Sequence, residues 1–168
     1  SAGHGSGVVM LTSQKVAHRV PQLLRNLSEP SIFSASLQLS GGGMTVVLDH
    51  TIVPVNDLEQ SVEFYTRIFG FEDLGEAGPF LAVRVNDSLN LDFRQSDDFR
   101  SIHYAFAMEP GEFDEAFQRI KDSKIPYGSS PLAQDNMRGP GITLGAKGDG
   151  KAVYFKDPSG HVLEIKTY

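Results

Sequence analysis

The sequence contains no cysteine. Disulfide scaffolds, cysteine-rich zinc sites, iron–sulfur clusters and thiol nucleophiles are therefore excluded. No apolar run approaches the roughly 18 residues of a membrane-spanning helix. The start does not resemble a secretion signal, and the two absences together point to a cytoplasmic protein without a membrane partner. Basic residues are in short supply. Lys and Arg number 15 against 21 Asp and Glu, giving a formal net charge of −6, which disfavours a broad nucleic-acid-binding face. What is present is ordinary globular material: 168 residues, 40% apolar and 21% charged. That length suits one domain or two small fused modules.

The composition changes along the chain. Residues 1–43 are rich in Gly and Ser and hold Lys15, Arg19 and Arg25 against the single acid Glu29. Residues 44–168 hold 12 bases and 20 acids. The run Gly41-Gly42-Gly43 reads as a linker, and Met44 as the natural start of a coding region. The first 43 residues are expected to be a flexible leader, tag or extension, with a short amphipathic helix around Val16–Leu27 interrupted by Pro21. An organelle-targeting leader is the other reading. Residues 44–168 are expected to form the folded domain.

Within it the patterns are strong. Thr45–Pro54 is β-branched and apolar and reads as a strand. Asp57 caps a helix, with Gln60 three residues on as its reciprocal partner. Leu58, Val62, Tyr65 and Phe69 recur at helical spacing, and Gly70 ends the helix. Three strands follow at about 71–76, 80–85 and 88–94, with turns at Gly78-Pro79 and Asn86-Asp87. The second half repeats the order. Ile102–Met108 is a strand, Phe113, Ala116, Phe117 and Ile120 mark a helix over about 111–123, and Ile125–Tyr127 begins a short strand. A loop rich in Gly, Pro and Ser spans 128–141. Strands near 142–145, 151–156 and 162–167 complete the unit. Gly145–Gly150 lacks the ending of a phosphate loop and reads as a hairpin turn. The fold class is thus α+β, two βαβββ modules at about 46–94 and 102–167, paired because neither buries its sheet face alone.

Three histidines lie in this region. His50 and His103 occupy matching positions on the first strand of each module. Glu164 and Asp92 occupy the last strands. Repeat symmetry would turn these four side chains toward one cavity, and imidazole with carboxylate suits a divalent iron, nickel, zinc or manganese ion. The alternative is a set of histidines hydrogen-bonded to acids, with Glu164 paired to Lys166 and Asp92 to Arg94 or Arg84. A buried strand glutamate is costly unless paired or metal-bound. His161, after the Asp157–Gly160 turn, is expected to be structural. Tyr154 either aims its hydroxyl into the cavity as a proton donor or packs on the sheet.

Two stretches also resemble a family. Leu48–Leu58 with Ser61, Phe64-Tyr65 and Phe69-Gly70-Phe71 is similar to the opening of the vicinal oxygen chelate superfamily, which includes glyoxalases, bleomycin-resistance proteins and extradiol dioxygenases. Val153–Ile165 resembles its closing signature. The resemblance spans about residues 46–167 and implies two modules forming a U-shaped sheet around a metal. The family's ligand positions fall on His50, His103 and Glu164, and a fourth, often glutamate in glyoxalase I, falls on Asp92. The resemblance further implies a homodimer acting on a small molecule with vicinal oxygens. The expected activity is a metal-dependent lyase or isomerase of glyoxalase type, stabilising an enolate with Asp92 or Glu164 as base. An iron(II) extradiol dioxygenase with Tyr154 as proton donor is the alternative, as is a non-enzymatic ligand-binding protein. The family's thiol transferases carry a threonine two residues after the first histidine, where this chain has Ile52, and an arginine past the closing glutamate, beyond Tyr168 here. The dioxygenases carry a histidine base where this chain offers Ser88 and Asn90.

Overall fold

The structure, a computed structural model, describes residues 46–168; the expected leader lies outside the described residues. Strand β1 spans His50–Val55, helix α1 Leu58–Phe69, and strands β2, β3 and β4 span Glu72–Ala77, Phe80–Asn86 and Leu89–Gln95. The second module has β5 at His103–Ala107, α2 at Pro110–Asp122, β6 at Tyr127–Gly128, β7 at Gly141–Thr143, β8 at Gly150–Lys156 and β9 at Val162–Thr167. The first sheet runs β1-β4-β3-β2 and the second β5-β9-β8-β6, with β7 also paired to β8. In each, the first strand is parallel to the last and the other pairings are antiparallel. The α+β repeat is therefore present. β1 and β5 are both edge strands, and no ladder joins the two sheets among the described residues.

β1 begins later than the apolar pattern suggests. Residues 46–49 are not strand, because the partner β4 starts only at Leu89, after the Asn86-Asp87 turn, and its register places Asn90 opposite His50. Alternation then sends Val53 and Val55 into the core and leaves His50 on the opposite face. Asp57 caps α1 as expected, its Oδ1 accepting the Gln60 N–H at 2.9 Å, and Gly70 ends the helix at a positive φ of 77°. α2 carries a cap that the apolar spacing did not reveal: Glu109 and Glu112 bracket Pro110 as a capping box, the Glu112 carboxylate accepting the Glu109 N–H at 3.0 Å.

The second strand of the second module is divided. β6 and β7 pair with successive parts of β8 and together take the place that β2 has in the first sheet. The segment between them leaves and rejoins the sheet at two glycines. A Cβ on Gly128 would lie 1.5 Å from the Ala133 carbonyl oxygen, and one on Gly141 2.1 Å from that of Ser129, so the loop backbone packs where a side chain would stand.

Both modules share one core. Val53, Val55, Tyr65, Ile68 and Phe93 of the first pack with Phe113, Ile120, Phe155, Leu163 and Ile165 of the second. Phe69 stacks on Phe71 at 4.8 Å between centroids and meets Phe106 of β5 at 4.8 Å. A polar network crosses this apolar contact. His161, fully buried, accepts the Ile102 N–H on Nδ1 at 3.0 Å and donates from Nε2 to the Pro54 carbonyl at 2.7 Å. Its own N–H donates to Asp157 Oδ1 at 2.8 Å, and the Tyr65 hydroxyl donates to Asp157 Oδ2 at 3.1 Å. The structural role expected of His161 is the one it has. No described helix is long and apolar enough to cross a membrane.

Burial raises the Asp157 carboxyl above its ordinary range, while His161 and the Tyr65 hydroxyl pull it part of the way back. Asp157 thus holds its proton more tightly in the folded chain than in the unfolded one. Its contribution to stability is complete below the unfolded pKa of about 3.9 and is lost as pH rises through the higher folded value. In urea titrations from pH 4 upward, the wild type should therefore lose stability relative to Asp157→Asn; a constant difference between the two would contradict the assignment.

Candidate metal centre and active site

The candidate residues fall on the faces of the two sheets turned away from the core. On the second sheet, Ala105 and Tyr154 stand in register with Glu164, and Ala107 and Ala152 with Lys166. His103 lies two residues before Ala105 on the same face. Glu164 is only 6% exposed. Its Oε2 lies 3.2 Å from His103 Nε2, and its buried Oε1 has no hydrogen-bond partner among the described residues. The one ion contact to that oxygen among the described residues is Lys166, whose Nζ stands 3.9 Å away, beyond hydrogen-bond length. Burying a carboxylate oxygen without a partner is costly. A divalent ion is a group that would satisfy it, and the adjacent imidazole supplies a second donor of suitable type. This sheet therefore supplies two donors of the kind that a metal takes.

Tyr154 completes the cluster. Its ring stacks on His103, 6.3 Å between centroids and 22° between planes, and its hydroxyl donates to Thr143 Oγ1 at 3.1 Å. Burial raises its phenol above the usual pKa; the Thr143 bond lowers it and the charge of Glu164 raises it. It is a protonated phenol at neutral pH.

His50 and Asp92 lie on the first sheet. Asp92 stands opposite Ile52 and His50 opposite Asn90. The His50 Nδ1 is 2.8 Å from Asp49 Oδ2, which fixes the proton on Nδ1 and leaves the Nε2 lone pair free, as a metal-binding imidazole requires. Its pKa is raised, first by that bond and then by the charge of Asp92. Asp92 is half-buried and makes no ion pair among the described residues; Arg84 goes to Glu72 instead.

The structure thus brings His103, Glu164 and Tyr154 together on one sheet, and His50 and Asp92 on the other. It does not unite the two sets: among the described residues no three His, Cys, Asp or Glu side chains converge as a metal site would need. Two contacts escaped the residue pattern. Asp49 adjoins His50 in sequence and was legible as its partner. Thr143 sits in the short β7, and only the fold brings it to Tyr154.

Three comparisons bear on this arrangement. Residues 47–165 match the family model described as the Glyoxalase/Bleomycin resistance protein/Dioxygenase superfamily. Among curated proteins, the chain is 29% identical over 126 residues to a metallothiol transferase FosB of Lysinibacillus sphaericus, covering 71% of this chain and 81% of that one. Among solved structures, it resembles the oxidase ChaP-H2 with a TM-score of 0.65 and 36% identity, over 74% of this chain and 95% of that one. It resembles the oxidase ChaP-H1 at 0.63 and 36%, over 73% and 96%.

The Tyr154–Thr143 bond is directly testable. Tyr154→Phe and Thr143→Val should each cost about 1 kcal/mol of stability, and the double variant no more than the larger single loss, measured by urea unfolding. Additive losses would show that the two side chains act separately.

Proposed function

Because the chain belongs to the glyoxalase/bleomycin resistance protein/dioxygenase superfamily, we propose that it is a divalent-metal-dependent enzyme that chelates a small substrate through two vicinal oxygens and oxidises it with dioxygen. The observation that carries this reading is the gathering of His103, Glu164 and Tyr154, a metal-type donor pair with a protonated phenol against it. The likeness to two oxidases at 36% identity supports it. Iron(II), held by His50, His103 and Glu164, would supply activation of dioxygen and polarisation of the substrate oxygens. The chain's own groups do the rest. Glu164 brings its negative charge from a buried position that excludes water. Asp49 orients His50. Tyr154, stacked on His103, keeps a proton available and delivers it from its hydroxyl to an oxygen of the substrate.

The separation of the two donor sets supports a homodimer. His50 and His103 each stand on a strand that is a sheet edge among the described residues, and the carboxylates acting on His50 are Asp49 and Asp92 of its own module. A second copy bringing its first sheet to the partner's second would complete the ligand set, in twofold-related pairs.

The glyoxalase-type reading retains one observation in its favour. Asp92, half-buried beside His50 and without an ion pair among the described residues, would serve as a fourth ligand or as the base that moves a proton between adjacent carbons of the substrate. A metal-free binding role is the remaining option.

One set of measurements separates these. The metal-stripped protein is reloaded with iron(II), nickel, zinc or manganese and given catechols or the hemithioacetal of methylglyoxal. Oxygen uptake with catechols and iron(II) alone is expected, reduced about 100-fold or more in Glu164→Gln and about 10- to 100-fold in Tyr154→Phe. Isomerisation of the hemithioacetal with nickel or zinc, abolished by Asp92→Ala, would select the second reading. Sedimentation should give twice 18.3 kDa. Mixing His50→Ala with Glu164→Ala should restore about a quarter of the activity, since half of randomly paired dimers hold one intact site of two. No recovery on mixing would place the whole site within one chain.

A further inference from the structure

Lys166 has no task in the reading above, yet its placement is unusual. Its side chain is only 9% exposed. Lysine is rarely buried without a partner, and here the one ion contact among the described residues is the 3.9 Å approach to Glu164 Oε1. Its Nζ also stands 4.7 Å over the Tyr168 ring. The surroundings are small. Ala107 and Ala152 flank Lys166 on the neighbouring strands, and Ala105 stands beside Glu164. Above, the turn between β7 and β8 comes so close that a Cβ on Gly145 would lie 3.1 Å from Nζ. The ammonium therefore sits in a recess with methyl groups along its floor and bare backbone over it, next to the carboxylate that the metal would take.

The charge balance of that recess is the argument. In the reading proposed above, on which this inference rests, Glu164 gives its carboxylate to a divalent ion. The imidazoles are neutral ligands. Even with Asp92 as a further ligand, the ion and Lys166 together carry more positive charge than the carboxylates neutralise, in surroundings where water screens poorly. The remaining positive charge favours a substrate that brings negative charge of its own, part of it on the chelating oxygens.

We propose that Lys166 is the specificity-determining cation of the site and receives an anionic group, of the carboxylate class, that the substrate carries beside its two vicinal oxygens. A compact ammonium, a point charge, suits a single oxyanion at close quarters. Ala105 and Ala107, both exposed, leave room for that group, where larger side chains would fill the space.

The test is binding to the zinc-loaded protein, in which no oxidation occurs. Calorimetric titration compares 2,3-dihydroxybenzoate with its neutral amide. The wild type should prefer the carboxylate by about tenfold or more. Lys166→Met should abolish the preference while leaving amide affinity and zinc stoichiometry unchanged; Lys166→Arg should retain it. Lys166→Gln repeats the comparison with a polar side chain, so that a folding failure of the methionine variant leaves the question answerable. Equal affinity of the wild type for both probes, or a preference that survives removal of the ammonium, overturns the assignment and leaves the vicinal-oxygen reading intact. Loss of zinc from Lys166→Met also overturns it, since Lys166 would then serve to hold Glu164. If neither probe binds the zinc-loaded wild type, the vicinal-oxygen reading itself fails and this inference falls with it.

Discussion

A buried histidine holds the two histidine-bearing strands in place. His161 accepts from Ile102, the residue immediately before His103, and donates to Pro54 on the strand that carries His50. Asp157 ties the same imidazole-bearing turn to Tyr65 of α1. In an apolar contact between modules these bonds are worth more than their number suggests, because each polar group would otherwise be buried unsatisfied. They also fix orientation, which the stacked rings around Phe69 do not do alone. Apolar packing tolerates small slides; a two-sided imidazole does not.

Much of this was legible in the residues. Alternation along β1, the cap at Asp57, the stop at Gly70 and the repeated order of elements follow from local preferences that the tertiary structure does not override. The exceptions share a cause. The late start of β1 depends on where β4 begins. The division of the second strand in the second module depends on backbone contacts at Gly128 and Gly141. The bond between Tyr154 and Thr143 joins residues brought together by the β7–β8 hairpin. In each case the deciding partner is set by pairing across the sheet, which composition and spacing along the chain do not encode. The capping box at Glu109 and Glu112 differs, since both residues are visible in sequence and the apolar pattern alone overlooked them.

The site shows the same division between local and non-local information. Residue type and repeat position single out His50, His103, Glu164 and Asp92 as a possible donor set. Geometry sorts them by sheet and reveals how unequal the two sets are. One holds an exposed imidazole oriented by a surface acid. The other holds a buried carboxylate, a buried ammonium and a stacked phenol. Under the proposed function, the first set contributes a ligand, whereas the second carries the charge and the proton on which chemistry depends.

The interrupted outer strand of the second module has a consequence for how such a protein diversifies. Gly128, where the loop departs, stands directly opposite Tyr154, while the loop's Leu132 is 96% exposed. Residues beyond that glycine are free of the shared core, so their length and sequence can drift without repacking it. A duplicated architecture thereby assigns different freedoms to its halves. The continuous outer strand of the first copy preserves the scaffold, and the broken one of the second is an adjustable margin beside the tyrosine, where new selectivity can arise by insertion and not by rebuilding the interior.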